Sequence, residues 1–337
     1  MDIRNMIEER ERSYLSSYAT LSADTKGRQR IEEPCVMRTE FQRDRDRILH
    51  CKAFRRLKHK TQVFMAPEDD HFRTRLTHTL EVAQIARSIS RCLSLNEDLT
   101  EAIALGHDLG HTPFGHACER LLNEVMSCGF EHNKHSLRVV DVLEKDYRGL
   151  NLTEEVRDGI VCHTGAKQPD TLEGQVVRLS DKIAYINHDI DDAIRAGIIK
   201  DGDLPQNCVK VLGATQGARI DTMIRDVVET TQSAEYRAIC MSPLIGELTE
   251  ILHEFMFQNV YIDSIAKKEE IKACGIVRSI FEYYMQNTGK LPLSYLQHIE
   301  EFGPEQTVCD YIAGMTDLYA IKEFEELFVP KVWRGVL

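Results

Sequence analysis

The chain has 337 residues, a formal net charge of -12 at pH 7 and ten cysteines. This length can bury a substantial core and predicts one large domain or two smaller ones. The acidic balance argues against a general nucleic-acid coat but does not exclude a small anionic substrate. The cysteines are irregularly spaced and no signal peptide precedes them, so the sequence predicts reduced thiols in a cytoplasmic protein. No apolar run approaches the roughly 20 residues of a membrane-spanning helix.

Apolar residues recur at three- and four-residue steps along most of the chain, which predicts an all-α fold. One such segment runs from residue 76 to residue 93, and Asn96 is expected to cap the helix that leads to His107. Gly110 and Pro113 interrupt the pattern and predict a turn. Further helices are predicted over His135–Leu143, Glu154–Cys162, Glu173–Arg195, Met241–Val260 and Ile271–Met285. We divide the chain into an N-terminal helical extension (1–37), a core (38–200) and a C-terminal helical region packed on that core (201–337).

His78, His107, Asp108 and Asp181 form a set of imidazoles and carboxylates in strong local contexts. If His107 and Asp108 lie on one helix, their side chains project about 100° apart and reach different sides of one ion. His78 and Asp181 would come from other helices and complete a shell of nitrogen and oxygen ligands. Such a shell suits Fe, Mn, Ni, Co or Zn better than Mg. The pattern therefore predicts a metal-dependent phosphohydrolase.

Positive charge is concentrated just ahead of these ligands. The cationic side chains of this segment are Arg38, Arg43, Arg45, Arg47, Lys52, Arg55, Arg56, Lys58, Lys60, Arg73 and Arg75. Most of them are expected to form a solvated helix face that pairs with Asp44 and Asp46. A minority could bind phosphate, and Arg75 is the best candidate because it precedes His78 by three residues and would share its helix face.

Six runs of residues resemble the deoxynucleoside triphosphate triphosphohydrolases of the HD superfamily, especially a shorter bacterial branch. The runs are 38–47 (RTEFQRDRDR), 54–63 (FRRLKHKTQV), 74–82 (TRLTHTLEV), 107–116 (HDLGHTPFGH), 130–133 (FEHN) and 175–185 (QVVRLSDKIAY). The resemblance implies an all-α HD-domain metal phosphohydrolase core with additional C-terminal helices. It also implies metal-dependent hydrolysis of dNTPs, of the dGTP type, at the α-phosphorus to deoxynucleoside and tripolyphosphate. The spacing of the ligands alone would imply only a metal phosphohydrolase.

The resemblance implies catalytic roles for three histidines and one glutamate. His116 and Glu119 match a pair that acts near the scissile α-phosphorus, and their three-residue spacing lets Glu119 orient the imidazole. His116 could deprotonate an attacking water or protonate the leaving 5′ oxygen. Alternatively, Glu119 could have no catalytic role and only stabilise the start of a helix. His111 and His132 match histidines that line the same pocket. Either could instead contact and position a neighbouring site residue without touching the substrate.

Substrate contacts are also implied by the resemblance. Arg75, Lys182 and Tyr185 match positions that contact phosphates, and Lys182 and Tyr185 lie on one helical face beside Asp181. Gln62 and Asp189 resemble residues that read the deoxyribose 3′-hydroxyl.

Three further residues have open interpretations. Tyr261 could exclude a 2′-hydroxyl, although a core aromatic is the favoured interpretation. His163 is expected at a helix end or behind the ligands rather than as a ligand itself. His135 stands where similar sequences usually have glutamine, so it either alters a pocket hydrogen bond or replaces a donor on the helix surface.

The expected cofactor is one divalent ion per subunit (Mn, Fe, Ni, Co, Zn or Mg), and a second ion could accompany the triphosphate. The expected partners are a dNTP substrate, further copies of the chain in a homo-oligomer and an allosteric dNTP. A membrane or a nucleic acid is not expected. Two other functions stay open: an HD-type nucleotide phosphomonoesterase or phosphodiesterase, and a non-catalytic nucleotide sensor. Loss of a ligand or of His116 would mark a sensor, and neither is lost.

Overall fold

The structure, a computed structural model, describes residues 2–63, 71–261 and 265–331, except for the side chains of residues 265–268. Within these ranges the prediction of an all-α fold is confirmed, because extended pairing is limited to two isolated bridges, Arg28 with Thr153 and Thr61 with Thr74. No helix in the described part of the chain is long and apolar enough to cross a membrane.

The α-helices of the described ranges are numbered in chain order. The first are α1 (Ile3–Tyr14), α2 (Glu40–Leu49), α3 (Lys52–Arg56), α4 (Arg75–Cys92), α5 (Glu97–Gly106), α6 (His116–Val125), α7 (His132–Arg138), α8 (Glu144–Tyr147), α9 (Glu154–Cys162) and α10 (Leu172–Arg195). They are followed by α11 (Gln206–Leu212), α12 (Gln216–Ser233), α13 (Pro243–Met256), α14 (Ile265–Gln286), α15 (Leu293–Leu296), α16 (Ile299–Phe302), α17 (Pro304–Ala313) and α18 (Asp317–Phe328).

Side-chain caps explain where the central helices begin. Thr74 and Thr77 bond each other's backbone N–H groups ahead of α4, and the Asn96 side chain accepts from two N–H groups of α5, as predicted. Thr171 accepts from the Gly174 N–H at the start of α10. Each cap satisfies donors that a helix start leaves unpaired, so the bounds lie close to the predicted ones.

Two predicted helices change character before they end. The segment predicted over His135–Leu143 is α7 followed by a π-helical turn over Val139–Leu143. Left-handed backbone at Lys145 and Asp146, with φ of 56° at each, then interrupts α8. The segment predicted over Met241–Val260 is α13 followed by a π-helical turn over Phe257–Tyr261.

Buried apolar side chains form two clusters. The first cluster joins α2, α4, α5, α9 and α10 to α11–α13, through residues such as Ile85, Ile103, Val156, Ile186 and Leu252. The second cluster joins α6 to α14, α17 and α18, through residues such as Leu121, Leu122, Val277, Ile312 and Ala320.

The clusters do not follow the order of the chain. Helix α6 lies inside the predicted core of residues 38–200 but packs with C-terminal helices, whereas α11–α13 pack in the first cluster. The boundaries at residues 37 and 200 stay predictions, since packing rather than chain order defines the two clusters.

Candidate active site

The four side chains predicted as metal ligands lie together inside the first cluster. α4 carries His78 and α10 carries Asp181, whereas His107 and Asp108 follow the last residue of α5. The Nε2 atom of His78 is 3.0 Å from Oδ1 of Asp181. Nε2 of His107 is 3.5 Å from Oδ2 of Asp108 and 3.8 Å from Oδ1 of Asp181. The condition that His107 and Asp108 lie on one helix is not met, because α5 ends at Gly106 and both residues occupy the turn after it.

The orientation of the His107 ring suits the binding of a cation by these four side chains. Its Nδ1 is 2.7 Å from the Ala104 carbonyl, which can only accept, so Nδ1 donates and Nε2 is the ring atom that faces the carboxylates. Nε2 is buried and has no hydrogen-bond partner in the described part of the chain. As a neutral imidazole, His107 offers this nitrogen to a cation, and ligands about 2 Å from one ion are themselves separated by about 3 Å. These His and Asp side chains could therefore hold a divalent metal.

Neighbouring charges keep the carboxylates of this group ionised. Burial raises the pKa of Asp108, but the charges of His107 and Arg75 outweigh it and hold that pKa well below its ordinary value. Burial also opposes ionisation of Asp181, and the hydrogen bond with His78 together with the charge of His107 brings its pKa below the ordinary range. Ionised carboxylates are the form in which aspartate binds metals.

We call His78, His107, Asp108 and Asp181 the metal group, and Arg75 lies behind them, buried from solvent. Its side chain is 2 % exposed, Nη1 donates to Oδ2 of Asp108 at 2.7 Å and Nε donates to the Thr61 carbonyl at 3.1 Å. The guanidinium thus orients one of the predicted metal ligands.

A second group of side chains lies beside the first and consists of His111, His116, Glu119 and His132. One ligand atom from each lies within 4.8 Å of the others. Oε2 of Glu119 accepts from Nδ1 of His116, and Oε1 accepts from both Nδ1 and the backbone N–H of His132, each at 2.7 Å. The His111 ring stacks on that of His132, with centroids 4.7 Å apart. We call this set the histidine group.

Glu119 is the charged centre of the histidine group. Burial alone would raise the pKa of Glu119, but hydrogen bonds from His116 and His132 hold it far below its ordinary value. The hydrogen bond between His132 and Glu119 also outweighs the effect of burial on His132 and raises the pKa of its imidazole. His111 is fully buried, and desolvation, followed by the charge of Arg75, lowers its pKa well below the ordinary value. His116 differs from the others because its side chain is 61 % exposed.

Two backbone features shape the turn that leads into this group. A Cβ atom on Gly110 would lie 2.1 Å from the Ser136 backbone nitrogen, so only glycine allows the turn to approach α7. Ser136 joins both sides of the turn, since its Oγ donates to the His107 carbonyl and accepts from the Gly110 N–H. Phe114 has a φ of 58°, and its N–H donates to Oδ1 of Asp317 at 2.9 Å. This left-handed residue directs the chain into α6 and its first residue, His116.

A cleft of about 320 Å³ opens beside Asp181. Its walls include His163, Arg178, Asp181, Lys182 and Tyr185. Lys182 forms an ion pair with Glu250 of α13, and Arg178 donates to the Cys162, Gly165 and Lys167 carbonyls. Burial, followed by the charge of Asp181, raises the pKa of Tyr185, so its hydroxyl stays neutral and able to donate.

Gln62 and Asp189 each present a buried oxygen with no hydrogen-bond partner in the described ranges, Oε1 and Oδ1 respectively. The other oxygen of Asp189 accepts from the Tyr261 hydroxyl. Burial raises the pKa of Asp189 to about 7, although that hydrogen bond opposes the shift. Tyr261 is therefore bonded to a predicted substrate-binding residue and also packs against the first cluster.

Comparison with known proteins identifies the family of the chain. Residues 75–186 match the HD domain, and residues 239–326 match the phosphohydrolase-associated domain. A deoxyguanosinetriphosphate triphosphohydrolase-like protein of Caldanaerobacter subterraneus is 56% identical over 99% of this chain and 98% of its own length. The chain belongs to this family. Proteins with the same description from Clostridium perfringens and Geobacter metallireducens are 50% and 40% identical, over 98% and 95% of this chain and 99% and 96% of their own lengths.

A solved structure agrees on the fold. A hypothetical protein from Aquifex aeolicus superposes with a TM-score of 0.50 over 87% of this chain and 73% of that chain, at 22% identity. Membership of the HD-domain phosphohydrolases supports a hydrolase activity and a divalent-metal site for this chain.

Three further histidines lie close to these groups, and of them only His163 was expected there, at a helix end or behind the ligands. His135 is 5 % exposed and donates from Nδ1 to the Gly110 carbonyl, so it is not on the helix surface. His188 lies against the His78 ring, and burial lowers its pKa to about 2. His163 caps α9 and lies 5.0 Å from the His107 ring, centroid to centroid. Only His163 had a usable signal, since it follows the end of a helix just as His107 does.

Proposed function

We propose that the protein hydrolyses dNTPs of the dGTP type at the α-phosphorus. Water adds to the α-phosphorus, the bond from that phosphorus to the 5′ oxygen breaks, and a proton goes to the 5′ oxygen. The products are a deoxynucleoside and tripolyphosphate. The substrate of this proposal follows from the deoxyguanosinetriphosphate triphosphohydrolase-like relatives, which are 40–56% identical to this chain.

The observation that carries the proposal is the exposed imidazole of His116 beside the metal group. Glu119 fixes Nδ1 of His116 in a hydrogen bond of 2.7 Å, which leaves Nε2 for a proton transfer. Because Glu119 stays ionised over the working pH range, it can stabilise the imidazolium after His116 takes up a proton. We assign His116 as the group that moves the proton and Glu119 as its orienting partner.

His111 and His132 form the wall against which the α-phosphate would lie. Desolvation keeps His111 neutral, so it offers one N–H donor without a full charge. Its two ring nitrogens have no hydrogen-bond partner among the described residues, as expected for a group whose partner is the substrate.

The proposed cofactor is one divalent ion held by His78, His107, Asp108 and Asp181, with its identity left to experiment. When bound, such an ion polarises a phosphoryl oxygen and lowers the pKa of a bound water. The side chains prepare the site independently, since Arg75 holds Asp108 in place at 2.7 Å.

Substrate recognition is assigned to both sides of the metal group. Lys182 and Tyr185 line the cleft beside Asp181 and are proposed to bind phosphate oxygens, with Lys182 leaving Glu250 when substrate enters. The buried unpaired oxygens of Gln62 and Asp189 need donors, and a sugar hydroxyl supplies one. They are proposed to bind the deoxyribose 3′-hydroxyl.

One observation favours a second candidate, a nucleotide phosphomonoesterase or phosphodiesterase. Two of the cations assigned to phosphate already pair with carboxylates, Arg75 with Asp108 and Lys182 with Glu250. A smaller ester would need fewer free cations than a triphosphate does.

Product analysis separates these activities. Metal-loaded protein is mixed with each dNTP, singly and as a mixture, and nucleoside and phosphate products are measured separately. Deoxynucleoside with tripolyphosphate supports the proposal, whereas orthophosphate or pyrophosphate contradicts it. Faster turnover of the mixture than of single dNTPs would support the further proposal of an activating dNTP in a homo-oligomer. Hydrolysis of monophosphates or cyclic nucleotides alone would support the second candidate.

A further inference from the structure

A second cavity of about 320 Å³ reaches the turn that carries Asp108. Leu109, the residue after Asp108, forms part of its wall, and so does His135, which donates from Nδ1 to the Gly110 carbonyl at 2.9 Å. Other parts of the wall come from α3, α8, α15 and α17. The wall shares no residue with the cleft beside Asp181. The volume lies at the lower end of the roughly 300–1,000 Å³ of small-molecule sites, so an occupant would be small.

Two polar groups in the wall of this cavity lack partners. Nε of Arg56 and the hydroxyl of Tyr147 are buried and have no hydrogen-bond partner in the described ranges. No ion pair among the described residues includes Arg56 either. Burial raises the pKa of Tyr147, so its hydroxyl keeps its proton and can donate. Both groups are therefore donors, and a buried donor without an acceptor costs free energy that an anion in the cavity would recover.

The carboxylates of the wall already have donors. Glu144 accepts from two backbone N–H groups at the start of α3, at 3.1 and 2.7 Å. Asp310 accepts from two nitrogens of Arg138, at 2.8 and 2.7 Å. Asp146 forms an ion pair with Lys52 at 3.3 Å. The cavity therefore has an unpaired guanidinium and no unpaired carboxylate among the described residues, which favours an anionic over a cationic occupant.

The wall also includes a strained segment of backbone. Lys145, Asp146 and Tyr147 have φ of 56°, 56° and 61°, a left-handed conformation that residues other than glycine rarely adopt. The Tyr147 ring stacks on the imidazole of His298 with centroids 3.6 Å apart, which holds the segment in place. Strained backbone of this kind is concentrated at ligand-binding segments. In this conformation all three residues line the cavity, and Lys145 adds a second cation to it.

We propose that this cavity binds a small inorganic phosphate, either orthophosphate or a short polyphosphate. Arg56 and Tyr147 donate to its oxygens, and Lys145 adds positive charge. The planar guanidinium suits this role, because its N–H groups match the spacing of phosphate oxygens. The bound anion would lie against Leu109 and His135, behind the turn that carries Asp108. The proposal does not depend on which ester the protein hydrolyses.

Calorimetric titration of the metal-free protein tests the proposal. Orthophosphate, tripolyphosphate and a deoxynucleoside monophosphate are each titrated at constant ionic strength, so that no ion at the active site binds them. Arg56→Met should weaken the binding of inorganic phosphate at least about tenfold, and Tyr147→Phe at least about threefold, because each loses a donor to a charged group. Arg55→Met is the matched control. Arg55 is the neighbouring, exposed arginine of α3 and donates to the His50 carbonyl. That variant should bind like the wild-type protein.

Hydrogen exchange of the wild-type protein locates the site without any variant. Peptides that cover residues 144–148 and 293–297 should exchange more slowly when inorganic phosphate is added, and peptides of α12 should not change. Several results would overturn the proposal: no binding of either inorganic phosphate, equal affinity in Arg56→Met and the wild-type protein, or protection confined to α10. Binding of the monophosphate through Arg56 without binding of inorganic phosphate would overturn it as well, since the ligand would then be a nucleotide.

Discussion

The two halves of the candidate site belong to different parts of the molecule. The metal group is surrounded by α4, α5 and α10, whose apolar faces meet in the first cluster. His116 and Glu119 stand on α6, whose apolar face packs on α14 and α17 in the second cluster. The C-terminal region that matches the phosphohydrolase-associated domain therefore supports half of the site, although none of the predicted site residues except Tyr261 lies in it.

Polar contacts lock the two clusters together next to the site. The buried Nζ atom of Lys60 donates to the carbonyls of His111 and Ala313. One carboxylate, that of Asp317, accepts from the backbone N–H groups of Thr61 and Phe114. These contacts set the position of α6 relative to the metal group. The comparison thus separates residues that hold the ion from residues that position His116.

Loss of a metal ligand should have the largest effect. Asp108→Ala or His107→Ala should remove bound metal and lower hydrolysis by at least about a thousandfold, because the ion supplies several kcal/mol of transition-state stabilisation. Metal analysis and product formation on the same sample check this. Glu173→Gln is the control, since Glu173 is a buried carboxylate on the same helix as Asp181 but bonds Thr20 and Asn96. Full activity in Asp108→Ala would contradict the assignment.

Loss of His116 should lower hydrolysis without affecting metal binding. His116→Ala should lower hydrolysis by about 10²- to 10⁴-fold, the range for a positioned proton-transfer group, while the metal stays bound. Hydrolysis rates are compared with metal content for the same protein preparation. Loss of the metal from this variant would contradict the account, because it would show that metal binding also depends on His116.

Breaking the contact between clusters should have an intermediate effect. Asp317→Ala leaves the N–H groups of Thr61 and Phe114 without an acceptor, which costs about 1–3 kcal/mol of unfolding free energy. We expect hydrolysis to fall by about tenfold, with the metal retained, because α6 shifts relative to the metal group. Urea unfolding and metal analysis measure the two effects. Asp221→Ala, an exposed change on α12, should stay within about 0.5 kcal/mol.

The smallest effect is expected at Glu32, outside both groups. Hydrogen bonds from Arg47, opposed by some burial, lower the pKa of Glu32 from 4.5 to about 2. A depressed pKa means that its stabilisation is present above about pH 4.5 and is lost as the pH falls toward 2. Since the side chain is 31 % exposed, solvent screening reduces the effect to about 1 kcal/mol. Urea unfolding at pH 7 and pH 3 should show a smaller difference for Glu32→Gln than for the wild-type protein. An equal difference would contradict this.

Local signals in the sequence were sufficient for the helices around the metal group. The segment Glu154–Cys162 was predicted with the bounds that α9 has, and α4 and α10 each lie within one residue of their predicted ends. Periodicity and capping residues are properties of adjacent residues, so a single sequence contains them.

The contacts between distant segments could not be predicted. Phe114 and Asp317 are 203 residues apart in the chain, and no spacing rule connects them. The basic segment shows the same limit: Arg45 pairs with Asp98 and Glu101, and Arg47 with Glu32. The expectation that these cations form ion pairs with carboxylates is confirmed, but most of the carboxylates lie outside the basic segment.

Hydrolysis of a dNTP in water enriched in ¹⁸O, followed by mass spectrometry of both products, is the most direct test of the central claim. Attack of water on the α-phosphorus predicts one ¹⁸O atom in tripolyphosphate and none in the deoxynucleoside. Label in the nucleoside, or label in orthophosphate or pyrophosphate, would contradict the account.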